Sequence, residues 1–274
     1  MIRLSQVSYT YPQSKRPALN NLSLNINKNE FLAIIGRNGS GKSTLARMLN
    51  ALLLPEKGEL CIDGYNSREP QNLMVIRRKV GLLFANPDSQ LLSNLVEEEI
   101  AFGPENLGLD PNEIRVRVDT ALKLVSMEDY AKYPPYLLSG GQKQKVCIAS
   151  LLAMQPDYLV LDEPFSMLDP PGRKKLLHLI LKLREHLKIT LVLITNSLEE
   201  AILADRICIL DKGELIKIVT PAQALNMDGE LFQLGIEPLE LKKLIIELNK
   251  YPGISLDNNI TDVESLVDTL CRLA

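Results

Sequence analysis

The sequence has no tryptophan, five phenylalanines, two histidines and four cysteines in 274 residues. Cys61, Cys147, Cys208 and Cys271 are widely separated and lie in apolar segments. That spacing argues against a metal cluster or a disulfide framework and fits small buried residues of a reducing compartment. His178 and His186 fall on one predicted helix without the i,i+4 spacing of a zinc pair, which favours a partly exposed helix face. No apolar run is long enough to span a bilayer, and Met1-Ile2-Arg3-Leu4-Ser5 does not open a signal peptide. The expectation is a cytosolic chain whose only route to a membrane is a membrane-bound partner. An excess of positive charge is also missing: 31 Lys and Arg face 34 Asp and Glu, for a net charge of −3. Nothing in the charge supports nucleic-acid binding. Repeats and low-complexity tracts are absent. What is present is an ordinary soluble composition, 46% hydrophobic and 24% charged, long enough for one large domain with an appendage.

The stretch that stands out is Gly36-Arg37-Asn38-Gly39-Ser40-Gly41-Lys42-Ser43-Thr44, which satisfies G-x-x-x-x-G-K-[ST]. Before it, Phe31-Leu32-Ala33-Ile34-Ile35 reads as a buried strand; after it, Leu45 to Leu52 reads as a helix with no Gly or Pro before Pro55. Between a strand and a helix, such glycines let successive N–H groups converge on a polyphosphate at the positive end of the helix. Lys42 would add charge for the β- and γ-phosphates, and the Ser43 hydroxyl would ligate Mg²⁺. An accidental Lys-Ser in a glycine turn would lack these flanks. A nucleoside triphosphate is the expected ligand.

Around this loop the chain alternates strand and helix patterns. Ile2 to Tyr9 and Leu22 to Ile26 are strand-like, and a further strand, Gly58 to Asp63, ends in an Asp-Gly turn. Tyr9 and Tyr11 sit at a strand break, where a ring serves either as core or as a stacking face for a base. Residues 86 to 135 carry more acid, Pro and Gly in helical patterns and read as a helical insertion between two halves of a parallel sheet. Leu138-Ser139-Gly140-Gly141-Gln142 then opens a helix. Tyr158-Leu159-Val160-Leu161 is an apolar strand closed by Asp162-Glu163-Pro164. An aspartate at a strand end beside a phosphate loop suits the Mg²⁺ shell, and the next carboxylate can orient or deprotonate the attacking water. A hairpin is expected around Asp211-Lys212-Gly213. An amphipathic, Pro- and Gly-broken appendage follows Pro221, with breaks at Gly235, Pro238 and Pro252-Gly253.

Over about residues 1 to 220 these motifs resemble the ATP-binding-cassette ATPases, the Leu138–Gln142 signature being the most specific piece. Asn86-Pro87-Asp88-Ser89-Gln90-Leu91 with Ala101-Phe102-Gly103-Pro104, the Ser166-Met167-Leu168-Asp169-Pro170 stretch and the short C-terminal extension resemble the ATPase subunits of energy-coupling-factor transporters. Those transporters import vitamins or transition-metal ions. The resemblance implies an α/β P-loop NTPase fold with a parallel sheet core, an antiparallel β subdomain, a helical subdomain at about 86–155 and a helical extension over 221–274 that supports dimer contacts. It implies ATP and Mg as ligands, with Tyr11 stacking on adenine, Gly36 to Thr44 holding phosphate, Ser43 and Asp162 holding the metal, and Glu163 catalytic. Ser139, Gly140, Gly141 and Gln142 would face ATP bound by a second ATPase subunit, in a homo- or heterodimer, and Asp169 would communicate across it. A membrane coupling subunit and a substrate-binding membrane subunit would complete the assembly, and the chain would lie peripherally on the cytoplasmic face of the membrane. Glu97, Glu98 and Glu99 resemble the acidic helix that receives the coupling subunit; a solvated helix start is the plainer alternative.

Two positions depart from the family pattern. Ala85 stands where the family has Gln, and Asn196 where it has His. A methyl group contacts neither metal nor water, and an asparagine amide donates a hydrogen bond but carries no charge and shuttles no proton. The pair suggests a degenerate ATP site whose signature serves a partner's faster site. A non-catalytic nucleotide-binding partner is the alternative, followed by a cassette ATPase outside transport. Repair and ribosomal members carry long coiled coils or a second cassette, and this sequence has neither.

Overall fold

The computed structural model describes residues 1–236, 239–251, 256 and 263–273; the expected breaks at Pro238 and Pro252-Gly253 lie outside the described residues. Five strands run parallel: β3 (Phe31–Ile35), β6 (Val80–Leu83), β7 (Tyr158–Asp162), β8 (Thr190–Thr195) and β9 (Arg206–Asp211). Antiparallel β10 (Glu214–Val219) pairs with β9 at one edge, giving the order β10-β9-β3-β8-β7-β6. Every residue of β3, β6, β7 and β8 is buried, which explains why these strands read as unbroken apolar runs: both faces of the sheet are covered. Alternate residues serve different cores. Phe31, Ala33 and Ile35 join one cluster, and Leu32 and Ile34 the other.

The second core lies against an antiparallel sheet in the order β2-β1-β4-β5, formed by β1 (Ile2–Tyr9), β2 (Leu19–Ile26), β4 (Lys57–Ile62) and β5 (Tyr65–Asn66). Ile2, Leu4, Val7, Leu22, Leu24 and Ile26 point inward, as the alternating pattern requires. Helix α1 (Lys42–Leu49) is packed into this core through Leu45, Ala46, Met48 and Leu49, and α2 (Leu73–Lys79) adds Ile76.

The inserted helices are α3 (Val96–Asn106), α4 (Pro111–Val125) and α5 (Gly140–Ala153). Asp110 caps α4 by accepting from Asn112 N–H, with Pro111 in the first turn, and Ser126 ends it in the left-handed region. As the sequence pattern implies, these helices are inserted in the chain between strands of the sheet, β6 and β7. In space β6 and β7 are neighbours and β6 is the edge strand, so the helices extend from one end of an undivided sheet. Sequence order cannot show which strand becomes the edge.

Beyond β7 come α6 (Pro170–Leu187) and α7 (Leu198–Ala201), then α8 (Pro221–Leu225), α9 (Asp228–Gln233), α10 (Glu240–Leu248) and α11 (Val263–Leu273). Ala224, Leu231 and Ile236 join the main core beside Ile207 and Ile209, so packing continues past residue 220. Ile245, Leu256 and Leu266 form a small cluster of their own.

Candidate nucleotide site

The glycine loop connects β3 to α1. Gly41 sits at φ +102 as the helix N-cap, a conformation open to glycine, and a Cβ there would lie 2.4 Å from the Ala18 carbonyl oxygen. At Gly36 a Cβ would lie 2.3 Å from the Leu210 carbonyl oxygen. The loop is backed by the β9–β10 turn: Gly213 N–H donates to the Ser40 carbonyl at 2.9 Å, and Asn20 N–H donates to the Gly213 carbonyl at 2.8 Å. The Asp211-Lys212-Gly213 hairpin therefore holds the loop's shape, a role that no local pattern in the sequence announces.

Lys42 is 4% exposed, and its Nζ donates to the carbonyls of Gly36 at 2.6 Å and Arg37 at 3.2 Å. Glu163 Oε1 lies 3.8 Å away. Burial pulls the ammonium's pKa down, against the opposing pull of Glu163 and Asp162. Ser43 Oγ donates to Asp162 Oδ1 at 3.1 Å. Burial pushes the Asp162 carboxyl up from its ordinary range, and the Ser43 bond opposes that push. Glu163, just past β7, is held at φ +48, a region costing a non-glycine residue on the order of 1 kcal/mol. Its N–H donates to the Ile194 carbonyl at 2.9 Å, and this turn directs the carboxylate toward Lys42.

A hydroxyl and a buried carboxylate 3.1 Å apart are hard oxygen donors that suit Mg²⁺, which takes few protein ligands and fills its shell with phosphate oxygens and water. Among the described residues no cluster of three or more His, Cys, Asp or Glu could hold a metal ion.

Asn196, exposed just past β8, lines a cavity of about 180 Å³ with Glu163, Ser166, Arg173, Thr195 and Glu200. Beneath it the Thr195 hydroxyl donates to the Glu200 carboxylate, and Arg173 Nη1 stands 3.6 Å from Glu200 Oε1. Burial raises the Glu200 carboxyl, Thr195 and Arg173 opposing. The sequence reading missed Arg173 and Glu200. Thr195 and Glu200 meet only because α7 folds back on the end of β8, which no spacing rule reveals.

Tyr11 lies close to α1: its hydroxyl is 3.3 Å from Thr44 Oγ1 and 3.5 Å from Arg47 Nη1. The Tyr9 and Tyr11 rings meet edge-on at 5.1 Å, and Tyr9 packs on the apolar core. Tyr11, half-buried rather than enclosed, keeps accessible ring surface beside the loop.

Ser139 caps α5 in a reciprocal box, accepting from Gln142 N–H at 3.4 Å while Gln142 Oε1 accepts from Ser139 N–H at 2.8 Å. Ser139 and Gly140 are exposed, and Gly141 lies 3.7 Å (as Cβ) from Leu168 Cδ2. Among the described residues no hydrogen bond or ion pair joins this cap to residues 36–44 of the same chain. Asp169 caps α6, accepting from Gly172 N–H at 3.1 Å. Ala85 offers its loop only a methyl group, and Gln90 turns inward to accept from Phe84 N–H at 3.2 Å.

The three glutamates of α3 differ in their surroundings. Glu99 is buried and accepts from the N–H groups of Leu92 and Ser93 at 2.7 and 2.8 Å; Glu97 pairs with Arg115 at 2.8 Å; Glu98 is exposed. Glu99 therefore holds the preceding loop, and Glu98 alone of the three points freely to solvent.

The ABC transporter family matches residues 19–166. The energy-coupling factor transporter ATP-binding protein EcfA of Syntrophomonas wolfei is 50% identical over 272 residues, 99% of each chain. EcfA1 of Clostridium novyi is 44% identical over 276 residues, covering all of this chain and 98% of that protein. Among solved structures, cbiO1 of Clostridium perfringens, described as part of the ABC transporter complex cbiONQ, has a TM-score of 0.76 at 31% identity and covers 92% of this chain and 95% of its own. The ATP-binding cassette MJ0796, in a dimeric post-hydrolysis state with ADP and Pi, has a TM-score of 0.72 at 33% identity over 81% of this chain and 99% of its own.

Proposed function

The chain belongs to the ABC transporter family as an ATPase subunit of energy-coupling-factor type, and on that premise we propose that it drives uptake of a micronutrient, a vitamin or a transition-metal ion, from a low-turnover ATP site of its own. The observation that carries this reading is the convergence of Lys42, Ser43, Asp162 and Glu163 at one loop, with Ala85 and Asn196 in the places where family members carry Gln and His. ATP would bind with its phosphates on the N–H groups of residues 39–44 and Lys42, and its adenine on Tyr11. Ser43 and Asp162 would hold Mg²⁺, which when bound neutralises charge on the β- and γ-phosphates. Glu163 would accept a proton from the attacking water. Asn196 contributes one amide donor at the γ-phosphate end, a weaker electrostatic aid than a protonated imidazole.

The Ser139–Gln142 cap is exposed at Ser139 and Gly140, and its reciprocal box engages the Ser139 and Gln142 N–H groups but not those of Gly140 and Gly141, which at a helix start would suit the γ-phosphate of ATP on a second ATPase subunit in a head-to-tail dimer. Asp169 would lie at that dimer contact. A membrane coupling subunit would seat on the α3 face, where Glu98, Phe102, Tyr133, Tyr136 and Leu137 are exposed. No described helix is long and apolar enough to cross a membrane, so attachment to the cytoplasmic face would run through those partners.

A second reading, a partner subunit whose ATP only holds the dimer together, is favoured by Ala85 and Asn196 and opposed by Glu163. Mg-ATP turnover by the purified chain, with ATP binding measured in the same sample, tests the proposal. Tight binding with slow hydrolysis that Glu163→Gln abolishes supports it. Failure to bind ATP, or hydrolysis indifferent to Glu163, overturns it, and tight binding without hydrolysis favours the second reading.

A further inference from the structure

Ala85 opens a loop, residues 84–93, that runs from the end of β6 to the start of α3. Phe84 packs on the apolar core shared with α1, and the loop's polar ties to other elements lead to α5 and α3. Gln144 Nε2 donates to the Ala85 carbonyl at 3.3 Å, Lys143 Nζ pairs with Asp88 Oδ1 at 2.7 Å, and Cys147 Sγ lies 4.0 Å from the Pro87 carbonyl oxygen. All three side chains come from the first two turns of α5, the helix that Ser139 caps. At its far end the loop is tied to α3 by the two N–H bonds to Glu99. Internally, Gln90 holds Phe84 N–H, and Asn86 Oδ1 accepts from Asp88 N–H at 3.0 Å. Among the described residues, no hydrogen bond or ion pair links residues 84–93 to residues 36–44.

Gln144 is the informative member of the set. It is wholly buried, yet its Oε1 has no hydrogen-bond partner. A buried amide with half its bonding unmet is a poor choice for stability, and an apolar leucine would avoid that orphan oxygen. What the amide does accomplish is to fasten the Ala85 backbone to α5. At Ala85 the side chain is a methyl group, so only the backbone is available for any link, and that link leads to the signature helix.

We propose that Gln144 and Lys143, with Cys147, are positioning residues that bind the 84–93 loop to α5, so that the loop moves with the signature helix and is indifferent to the nucleotide on its own glycine loop. This rests on the function proposed above for the second clause only; the fastening itself is a property of the single chain.

Hydrogen exchange on the purified full-length chain, at concentrations that keep it monomeric, tests both clauses. Without nucleotide, amides of 86–93 and of 143–147 should open together. Gln144→Leu should speed exchange in 86–93 by roughly fivefold with little change in melting temperature. Lys143→Asp and Asp88→Lys should each speed it by roughly threefold, and combining them should restore the slow rate, which mere loss of structure would not do. Independent opening of the two segments, or a charge exchange that fails to restore, overturns the fastening. With ATP added, residues 36–44 should become protected while 86–93 stay unchanged, and in Ala85→Gln both should respond. Protection of 86–93 by ATP in the unaltered monomer overturns the second clause. Absence of protection at 36–44 overturns the ATP-site reading itself and leaves the nucleotide-free result standing for the fastening.

Discussion

Ser43 and Asp162 are 119 positions apart in sequence, and their side chains meet at 3.1 Å. Asp162 ends β7, and Ser43 lies in the first turn of α1, beyond the loop that follows β3; β8 separates the two strands in the sheet. Parallel strands of equal register bring their C-terminal ends to one edge, and the loop after β3 carries Ser43 across to Asp162. A strand, a glycine loop and a second strand are thus enough to bring this hydroxyl and this carboxylate together.

Asp162→Asn retains the shape of that pair and removes its charge. We predict that it weakens binding of Mg-ATP by about tenfold or more, the worth of a charge-assisted contact, while binding of ATP in EDTA changes little. Titration calorimetry of both forms is the check. Equal losses with and without Mg²⁺ would remove Asp162 from the metal shell.

Restoring the two departing side chains should speed hydrolysis. An electrostatic donor aimed at developing charge is worth on the order of 3 kcal/mol, about a hundredfold in rate. Ala85→Gln with Asn196→His is therefore expected to raise single-turnover hydrolysis by one to two orders of magnitude. Adding Glu163→Gln to that background should abolish the gain. An unchanged rate would mean that neither position limits turnover.

Much of this site was legible in the sequence because its groups lie in contiguous motifs at element ends: Gly36 to Thr44, Asp162-Glu163 and Ser139 to Gln142. Fully buried strands were recognisable because both sheet faces are covered, leaving no polar alternation to confuse with a helix. Other features depend on tertiary neighbours. Gly213 supports Ser40 through backbone atoms, Glu200 reaches Thr195 because α7 turns back, and Gln144 finds the Ala85 carbonyl across the insertion. The three glutamates of α3 looked equivalent in sequence, and only helix orientation separates buried Glu99 from exposed Glu98.

Ser139 both caps α5 and, in the proposed dimer, faces a partner's γ-phosphate. Ser139→Asp separates these roles, since aspartate is an equally good N-cap and adds charge favourable to the helix dipole. Its melting temperature should match or slightly exceed that of the parent chain. In the assembled transporter, however, an anion facing the γ-phosphate should depress transport more than Glu163→Gln does. The opposite ranking in a vesicle uptake assay would mean that this chain's own site drives transport.

Asp63, in the turn between β4 and β5, gives the acid limb of stability. Its carboxyl is pushed up by burial, but hydrogen bonds from the Met1 ammonium, the Tyr158 hydroxyl at 2.8 Å and Lys79 at 3.2 Å outweigh this and hold it well below the ordinary 3.8. A carboxyl with a depressed folded-state pKa stabilises the fold above the unfolded value and loses that contribution as pH falls below it. Asp63→Asn should therefore be less stable than the parent at pH 7, and the gap should narrow as pH falls from about 5 to 3. Urea midpoints across that range would show it. A gap that stays constant with pH would assign the loss to packing or to the neutral hydrogen bonds rather than to the charge on Asp63.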